Sequence, residues 1–574
     1  MNSPATTLSR APATIALIAF LLPLPFLLPF VAKAFHLDDP FYLWTGQQIL
    51  TDPVDFYGYS VNWSGTEAPA WVTNKNPPLV SYYMALVAFV FGWGEVTMHL
   101  AFLLPACLSS LCTFRLAQRF TSQPLLATAA ALATPAFLVS ATNVMAEVVM
   151  LCFYLWAIEL WLRGLERDKP GLLFAAAACI VASTLSKYFG VSLIPLLAAY
   201  TLAEKRSLGT WLVPFAAALG LLLAYELLTL VLYGQALLFE AGSYANLHNE
   251  FKASPRHEKL LIGLAYTGGC LAVVFFYAPL IWARKALLAA AGLCLLVFLT
   301  MTFAEPLSES HFYDQDGERR WDIITQFTLF TTLGMLVLQL AFADLWARRD
   351  AMALLLFLWL LGTFFFAAQV NWTTNARAIL PMAPPLGIVL VRRLEARRET
   401  EGGRNWIQWA PLAPAVALCL TLMFADYGLA NAARTASRDL QENLPEYEGD
   451  LWYVGHWGFQ YYMQQEDTRH VDVLGTEVSP GDVLVIPKNN LNKLTVPEIY
   501  DHGKSMRFDV FPWATVWSRN NQAGLYSSTW GCLPYAFGRV PPEEYTALLI
   551  SESATLRWED IDEKLEAFRK SLTR

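Results

Sequence analysis

Uncharged apolar stretches long enough to cross a bilayer recur along this chain, and they constrain its fold more than any other feature. Residues 11–32, 210–225 and 286–302 contain no Asp, Glu, Lys or Arg, and short charged punctuation lies between such stretches. Segments of roughly 17–25 apolar residues match the ~30 Å hydrocarbon core of a membrane. With 55% hydrophobic and 15% charged residues over 574 positions, the composition is too apolar for an ordinary soluble protein. The apolar segments stop near residue 428, and the remainder is long enough for one soluble domain with its own core. A net charge of −8 gives no reason to expect a nucleic-acid partner. The eight cysteines form no C-x-x-C pair and no zinc-like spacing, so no disulfide framework is expected.

Basic residues mark the cytoplasmic ends of membrane helices. They cluster at Arg115/Arg119, Arg163/Arg167/Lys169, Lys205/Arg206, Arg284/Lys285, Arg348/Arg349 and Arg392/Arg393/Arg397/Arg398. Enough apolar chain for two crossings lies between successive clusters. The pattern predicts about thirteen transmembrane helices, near 12–34, 95–118, 123–140, 147–163, 171–186, 188–203, 211–233, 260–282, 286–303, 322–343, 350–369, 376–391 and 406–428. The N-terminus is expected inside and the tail outside. The first apolar run is longer than a signal-peptide core, and Lys33 suits a cleavage site poorly, so this run reads as an uncleaved helix. Residues 77–93 would reverse every later basic loop if they crossed, so they read as a juxtamembrane or re-entrant helix in the outer interface. The predicted architecture is a transmembrane catalytic domain over 1–430, with a first outer loop at 35–94, followed by an extracytoplasmic α/β domain over 431–574. In that tail 434–443 has helical composition, 450–455, 471–474 and 482–487 read as strands, and 541–572 reads as helix-forming.

The unusual polar residues collect in the predicted outer loops. Asp38 and Asp39 stand together after the first helix, where two adjacent carboxylates call for a partner; a helix cap followed by Pro40 accounts for them equally well. Glu147 sits at the mouth of an otherwise uncharged helix, an expensive place for a carboxylate and so a functional candidate. Lys75, Lys187 and Arg377 break the inside-positive pattern, and cations at lipid level suit a phosphate. Each alone is also an ordinary snorkelling residue. Carboxylates here could deprotonate an acceptor hydroxyl or orient a divalent metal ion, with His36, Asp39 and Glu147 as candidate ligands. The aromatic run 452–462 reads as the core of the small domain rather than a glycan site.

In this order the motifs resemble the glycosyltransferase-C superfamily, in its branch of protein O-mannosyltransferases and aminoarabinose transferases of lipid A. The matching segments are Asp38-Asp39-Pro40-Phe41-Tyr42, Lys75-Asn76-Pro77-Pro78, Glu147, Thr184-Leu185-Ser186-Lys187 and Arg377 through Pro381. The resemblance covers roughly residues 12–430. It implies a polyprenyl-phosphate-linked sugar donor and inverting transfer to a glycan, lipid or protein hydroxyl on the outer face of a bacterial inner membrane. Carried over residue by residue, it makes Asp38 the base with Asp39 its competitor. Glu147 would orient the acceptor or a metal, and Lys75, Lys187 and Arg377 would hold the donor phosphate. The chain departs from the pattern in its Asp-Asp pair, in Asn76 between Lys75 and the prolines, and in Glu147 where Asp is usual. A flippase of lipid-linked sugars, or a non-catalytic partner in envelope polysaccharide assembly, is the competing expectation. A flippase would want charges at mid-helix rather than at helix ends.

Overall fold

The computed structural model describes residues 12–557, except 252–254, 305, 315, 402–404, 445–446 and 491–498. Among these, eight helical segments are long and apolar enough to cross a membrane: Ala13–Phe30, Glu95–Ala117, Ala146–Glu166, Leu212–Tyr233, Arg284–Phe303, Trp321–Arg348, Ala351–Val370 and Trp406–Leu440. A ninth is the pair Arg256–Cys270 and Val273–Ile281, bent by 78°. The chain is thus a multi-pass helical membrane protein with a sheet-containing C-terminal domain. Helices occupy all thirteen expected positions, but several are interrupted. The 123–140 segment divides into Pro124–Leu132 and Pro135–Ser140, where Thr134 caps the second piece by accepting from the Phe137 amide. The segment after Ser186 restarts through a 3-10 turn, Tyr188–Ser192, before Leu193–Lys205. The helix at Arg377 begins with a four-residue turn, Ala376–Ile379, capped by the Asn375 side chain.

The first loop holds the helix Asp39–Thr51, a hairpin pairing Ser60–Asn62 with Glu67–Pro69, and the helix Leu79–Phe91. Thirteen residues rise only ~20 Å, too little to cross a bilayer, which agrees with an interfacial reading of this last helix. Its Leu86, Phe89, Val90 and Phe91 are exposed, while Val80, Met84 and Ala85 pack inward.

Glycines let two core helices meet backbone to backbone. A Cβ on Gly268 would lie 1.9 Å from the Phe330 carbonyl oxygen, and one on Gly334 would lie 2.1 Å from that of Leu264. This is how membrane helices gain packing where lipid supplies no hydrophobic drive. The loops that charge parity assigns to one side meet at one end of the bundle: Ala376 N donates to Leu525 O at 2.8 Å, Val473 N to Gly65 O at 2.8 Å, and His311 Nδ1 lies 2.7 Å from Gln522 Oε1. Members of the basic clusters share carboxylates, Arg119 and Arg163 pairing with Glu159, and Arg348 and Arg392 with Asp344.

The last helix, Leu412–Asn443, runs unbroken from the bundle into the C-terminal domain, so residues 434–443 continue the membrane helix rather than forming a new one. Its end carries a five-stranded sheet ordered Arg469–His470, Leu451–Tyr453, Val483–Pro487, Glu543–Ile550, Tyr500–Phe508. The first three strands are parallel, and the last two pair antiparallel. Period-two alternation builds two cores: Val483 and Val485 pack with Ala436 and Leu440 of the helix, while Leu484 faces Val471, Val473 and Leu556. Two expectations fail. Residues 471–474 are not a strand, since the sheet uses Arg469–His470, and Thr476–Val478 pairs with Ala554–Leu556 instead. The 541–557 part of the expected helix instead holds two strands, Glu543–Ile550 and Ala554–Leu556; β-branched and aromatic residues (Tyr545, Thr546) sit between the charges of the first and pair on both edges. The rest, 558–574, lies outside the described residues.

Candidate active site

Asp38 is the N-cap of the helix Asp39–Thr51, but its side chain makes no cap bond. It turns instead to Arg377, whose Nη1 lies 2.5 Å from Asp38 Oδ2. Arg377 Nε is 3.6 Å from Glu147 Oε1, and the same carboxylate is bonded by Lys187 Nζ. Four residues from four segments thus form one chain of alternating charge, Asp38–Arg377–Glu147–Lys187, summing to zero. It grades from interior to surface: the Glu147 side chain is 1% exposed, Arg377 11%, Lys187 27% and Asp38 28%. Local structure places each member. Glu147 opens the helix Ala146–Glu166, Lys187 stands in the extended break after Ser186, and Arg377 follows the Asn375 cap. Burying two carboxylates and two cations demands this pairing, since an unpaired charge costs several kcal/mol.

Asp39 goes the other way. It is fully buried, and its Oδ2 accepts from the His36 amide at 2.7 Å. Burial raises its pKa to about 7 and lowers that of His36 to about 4. Beside them Lys33 Nζ bonds Asp426, with Asn143 Oδ1 at 2.7 Å, and His36 Nε2 is 3.6 Å from Asp426 Oδ1. Lys33 and Asp426 balance each other's charge. The adjacent carboxylates are therefore split, one facing the ion chain and one holding the loop's backbone.

Lys75 is not part of the chain. Its Nζ pairs with Glu240 Oε1 at 3.3 Å and lies 5.5 Å from the Tyr244 ring centroid. Burial lowers its pKa, against the pull of Glu240. Tyr57, Tyr188, Tyr225 and Tyr233 share one apolar cluster with Leu185. The metal-ligand candidates His36, Asp39 and Glu147 do not fit a divalent ion as a set. Glu147 is held between two cations, Asp39 gives one oxygen to the His36 amide, and among the described residues no group of three or more His, Cys, Asp or Glu is placed to hold a metal ion.

Sequence reading missed Tyr526, which the C-terminal domain inserts into the site. Its carbonyl accepts from Arg377 Nη2 at 3.4 Å, and its ring centroid lies 5.6 Å from the guanidinium carbon. Its hydroxyl donates to Asp426 Oδ2 at 2.7 Å and accepts from Asn143 Nδ2 at 3.0 Å. Nothing local in the sequence marks Tyr526. Asp426 carried a signal, a lone carboxylate inside the last apolar run. The run 452–462 is mostly core, with Tyr453, Phe459 and Tyr462 buried.

Residues 75–232, about a quarter of the chain, match the family described as dolichyl-phosphate-mannose-protein mannosyltransferase. That segment supplies Lys75, Glu147 and Lys187, so part of the chain is similar to that family over the stretch that carries three of the candidate site residues. Comparison with curated proteins gives no match. Among solved structures, the archaeal oligosaccharyltransferase AglB from Archaeoglobus fulgidus, in complex with an inhibitory peptide and a dolichol-phosphate, is similar with a TM-score of 0.47 and 13% identity. The match covers 83% of this chain and 69% of that one. The same organism's oligosaccharyltransferase tethered to an acceptor peptide has a TM-score of 0.42 and 14% identity, over 80% of this chain and 63% of that one. ArnT from Cupriavidus metallidurans bound to undecaprenyl phosphate has a TM-score of 0.40 and 15% identity, over 83% of this chain and 92% of that one. The chain spans about two thirds of the length of the archaeal enzymes.

Proposed function

We propose that this membrane glycosyltransferase moves a sugar from a polyprenyl-phosphate donor to an acceptor hydroxyl on the outer face of a bacterial inner membrane, with inversion. The observation that carries the reading is the ion chain Asp38–Arg377–Glu147–Lys187, which sets a partly exposed carboxylate against two cations at a single end of the bundle. The donor phosphate binds to Arg377 and Lys187, and in doing so draws Arg377 from Asp38. The freed Asp38 carboxylate takes the proton of the acceptor hydroxyl as its oxygen attacks the anomeric carbon. The bond from that carbon to the phosphate oxygen breaks on the opposite side, and the polyprenyl phosphate leaves with the bonding pair. The two cations stabilise the charge it gains. Glu147 keeps both cations in register. Lys75, paired with Glu240, holds the first loop to the helix Leu237–Phe251 rather than binding phosphate.

Transfer of labelled sugar in proteoliposomes supplied with polyprenyl-phosphate sugars tests this. Asp38→Asn should lower turnover by roughly 10²–10⁴, the usual contribution of a positioned general base. Asp39→Asn should retain most of it. Equal, unchanged transfer in both variants removes Asp38 as the base.

A further inference from the structure

A recess lies between the first loop and the C-terminal domain. It is a pocket of about 280 Å³ lined by Trp44, Gln47, Gln48, Thr51, Tyr59 and Gln464 together with Ser60 and Val61. On the helix Asp39–Thr51 the four positions 44, 47, 48 and 51 follow the i, i+3, i+4, i+7 spacing of one helical face. The opposite face, with Tyr42, Leu43, Gly46 and Ile49, is buried in the bundle. The outward face is therefore free to serve a ligand.

The lining has a definite chemistry. It carries no charged side chain, so it is no place for a phosphate or a metal ion. It offers three amides, two aliphatic hydroxyls and two aromatic rings. Amides bridge vicinal hydroxyl groups, and the apolar C–H face of a pyranose lies on an aromatic ring. The volume lies just under the range of small-ligand sites, roughly 300–1,000 Å³, which suits one or two sugar rings.

The pocket is also preorganised. Trp44 is flanked by Phe41, Trp63 and Tyr461, with ring centroids 6.1, 6.3 and 6.4 Å away. Tyr59 Oη lies 2.9 Å from Thr45 Oγ1, and Gln48 Nε2 donates to Asp55 O at 3.0 Å. The hairpin that forms one wall is fastened to the C-terminal domain: Gln460 Nε2 donates to Asn62 O at 2.9 Å, Asn62 Nδ2 to Val471 O at 3.0 Å, and Thr66 Oγ1 to Asp472 Oδ2 at 2.9 Å. Fixed polar and aromatic groups lose little entropy on binding.

We propose that this pocket is a docking subsite for a neutral saccharide portion of the acceptor. The inference rests on the transferase reading above and adds to it the class of acceptor. Trp44 lies six residues beyond Asp38, about 9 Å along the helix axis and about 120° around it. A saccharide held on Trp44 is thus one or two rings from the base, and must turn the edge of the helix to present its hydroxyl.

Saturation-transfer NMR on the full chain in nanodiscs tests the assignment, with neutral methyl disaccharides of gluco, galacto and manno configuration as probes and neutral tripeptides in parallel. At least one disaccharide should bind. Gln47→Ala should weaken it about tenfold and Trp44→Ala should abolish binding. Trp44→Phe should keep most of it, which separates a lost stacking surface from a misfolded loop. No binding by any disaccharide, binding indifferent to both positions, or Trp44-dependent binding of the peptides alone would overturn the proposal. Binding is read without turnover, and Asp38→Asn should leave it unchanged. If saccharides bind but no donor supports transfer, the transferase reading fails and the subsite stands; transfer without saccharide binding has the reverse meaning.

Discussion

Two adjacent carboxylates carry different duties because the helix that begins at Asp39 turns them apart. Asp38 faces Arg377, and Asp39 faces the His36 amide. Their titration differs accordingly. Asp39, raised by burial to about 7 from 3.8, holds its proton in the folded chain after the unfolded chain has lost it. Its stabilising effect is full below 3.8 and disappears as the pH rises through 7. Buried histidines in the C-terminal domain have the opposite sign. Burial lowers His456 to about 3 and His470 to about 4, against 6.5 in the unfolded chain. The unfolded form takes up protons first, so stability is full above pH 6.5 and declines toward 4, by at most about 1.4 kcal/mol per pH unit for each histidine. Asp39 and the two histidines thus pull denaturant midpoints, followed by tryptophan fluorescence, in opposite directions between pH 7.5 and 5.5, and His470→Asn should shift that balance by making the acid side relatively more stable than in the natural chain. The pair at 38–39 was legible from the sequence, whereas the division of labour was not. It depends on an arginine 339 positions away along the chain.

Helix positions were readable because apolar length reports bilayer thickness directly. Breaks were harder to read, and they are where the site sits. Lys187 occupies a gap between two helices that a hydropathy pattern shows as one turn, and Arg377 begins a short, separately capped piece. The strand Glu543–Ile550 was missed for a different reason: its charges suggest a solvated helix, but pairing on both edges overrides that local preference. At this scale the glycine contacts give a sharp expectation. Gly334→Ala would push a methyl group into the Leu264 carbonyl, so it should destabilise the bundle by about 1–3 kcal/mol or more, read as a lower thermal unfolding temperature in detergent. Gly292→Ala, where nothing lies within 4 Å of the added carbon, should leave that temperature unchanged.

The C-terminal domain is part of the site rather than an appendage. Tyr526 holds Arg377 through its carbonyl and ring and is itself held by Asp426 and Asn143. Tyr526→Phe removes the hydroxyl and leaves Asp426 short of a donor, a loss of about 1–3 kcal/mol. Turnover in the sugar-transfer assay should fall several-fold while donor KM changes little, because the guanidinium stays present but less well aimed. Unchanged turnover would make Tyr526 a packing residue only.

The unbroken helix Leu412–Asn443 has a further consequence. Asp426 meets Lys33, Asn431 accepts from the Ala34 amide, and Arg434 pairs with Glu95, all along that one rod. Membrane and soluble parts are joined by a shaft, with no swivel between them, so their relative orientation is a matter of rotational phase. Inserting one alanine after Met423 would rotate everything beyond it by about 100° and advance it by 1.5 Å or so. Seven alanines would bring the rotation back to within about 20° yet lift the domain roughly 10 Å. Such a chain tolerates changes of residue along the shaft far better than changes in its length.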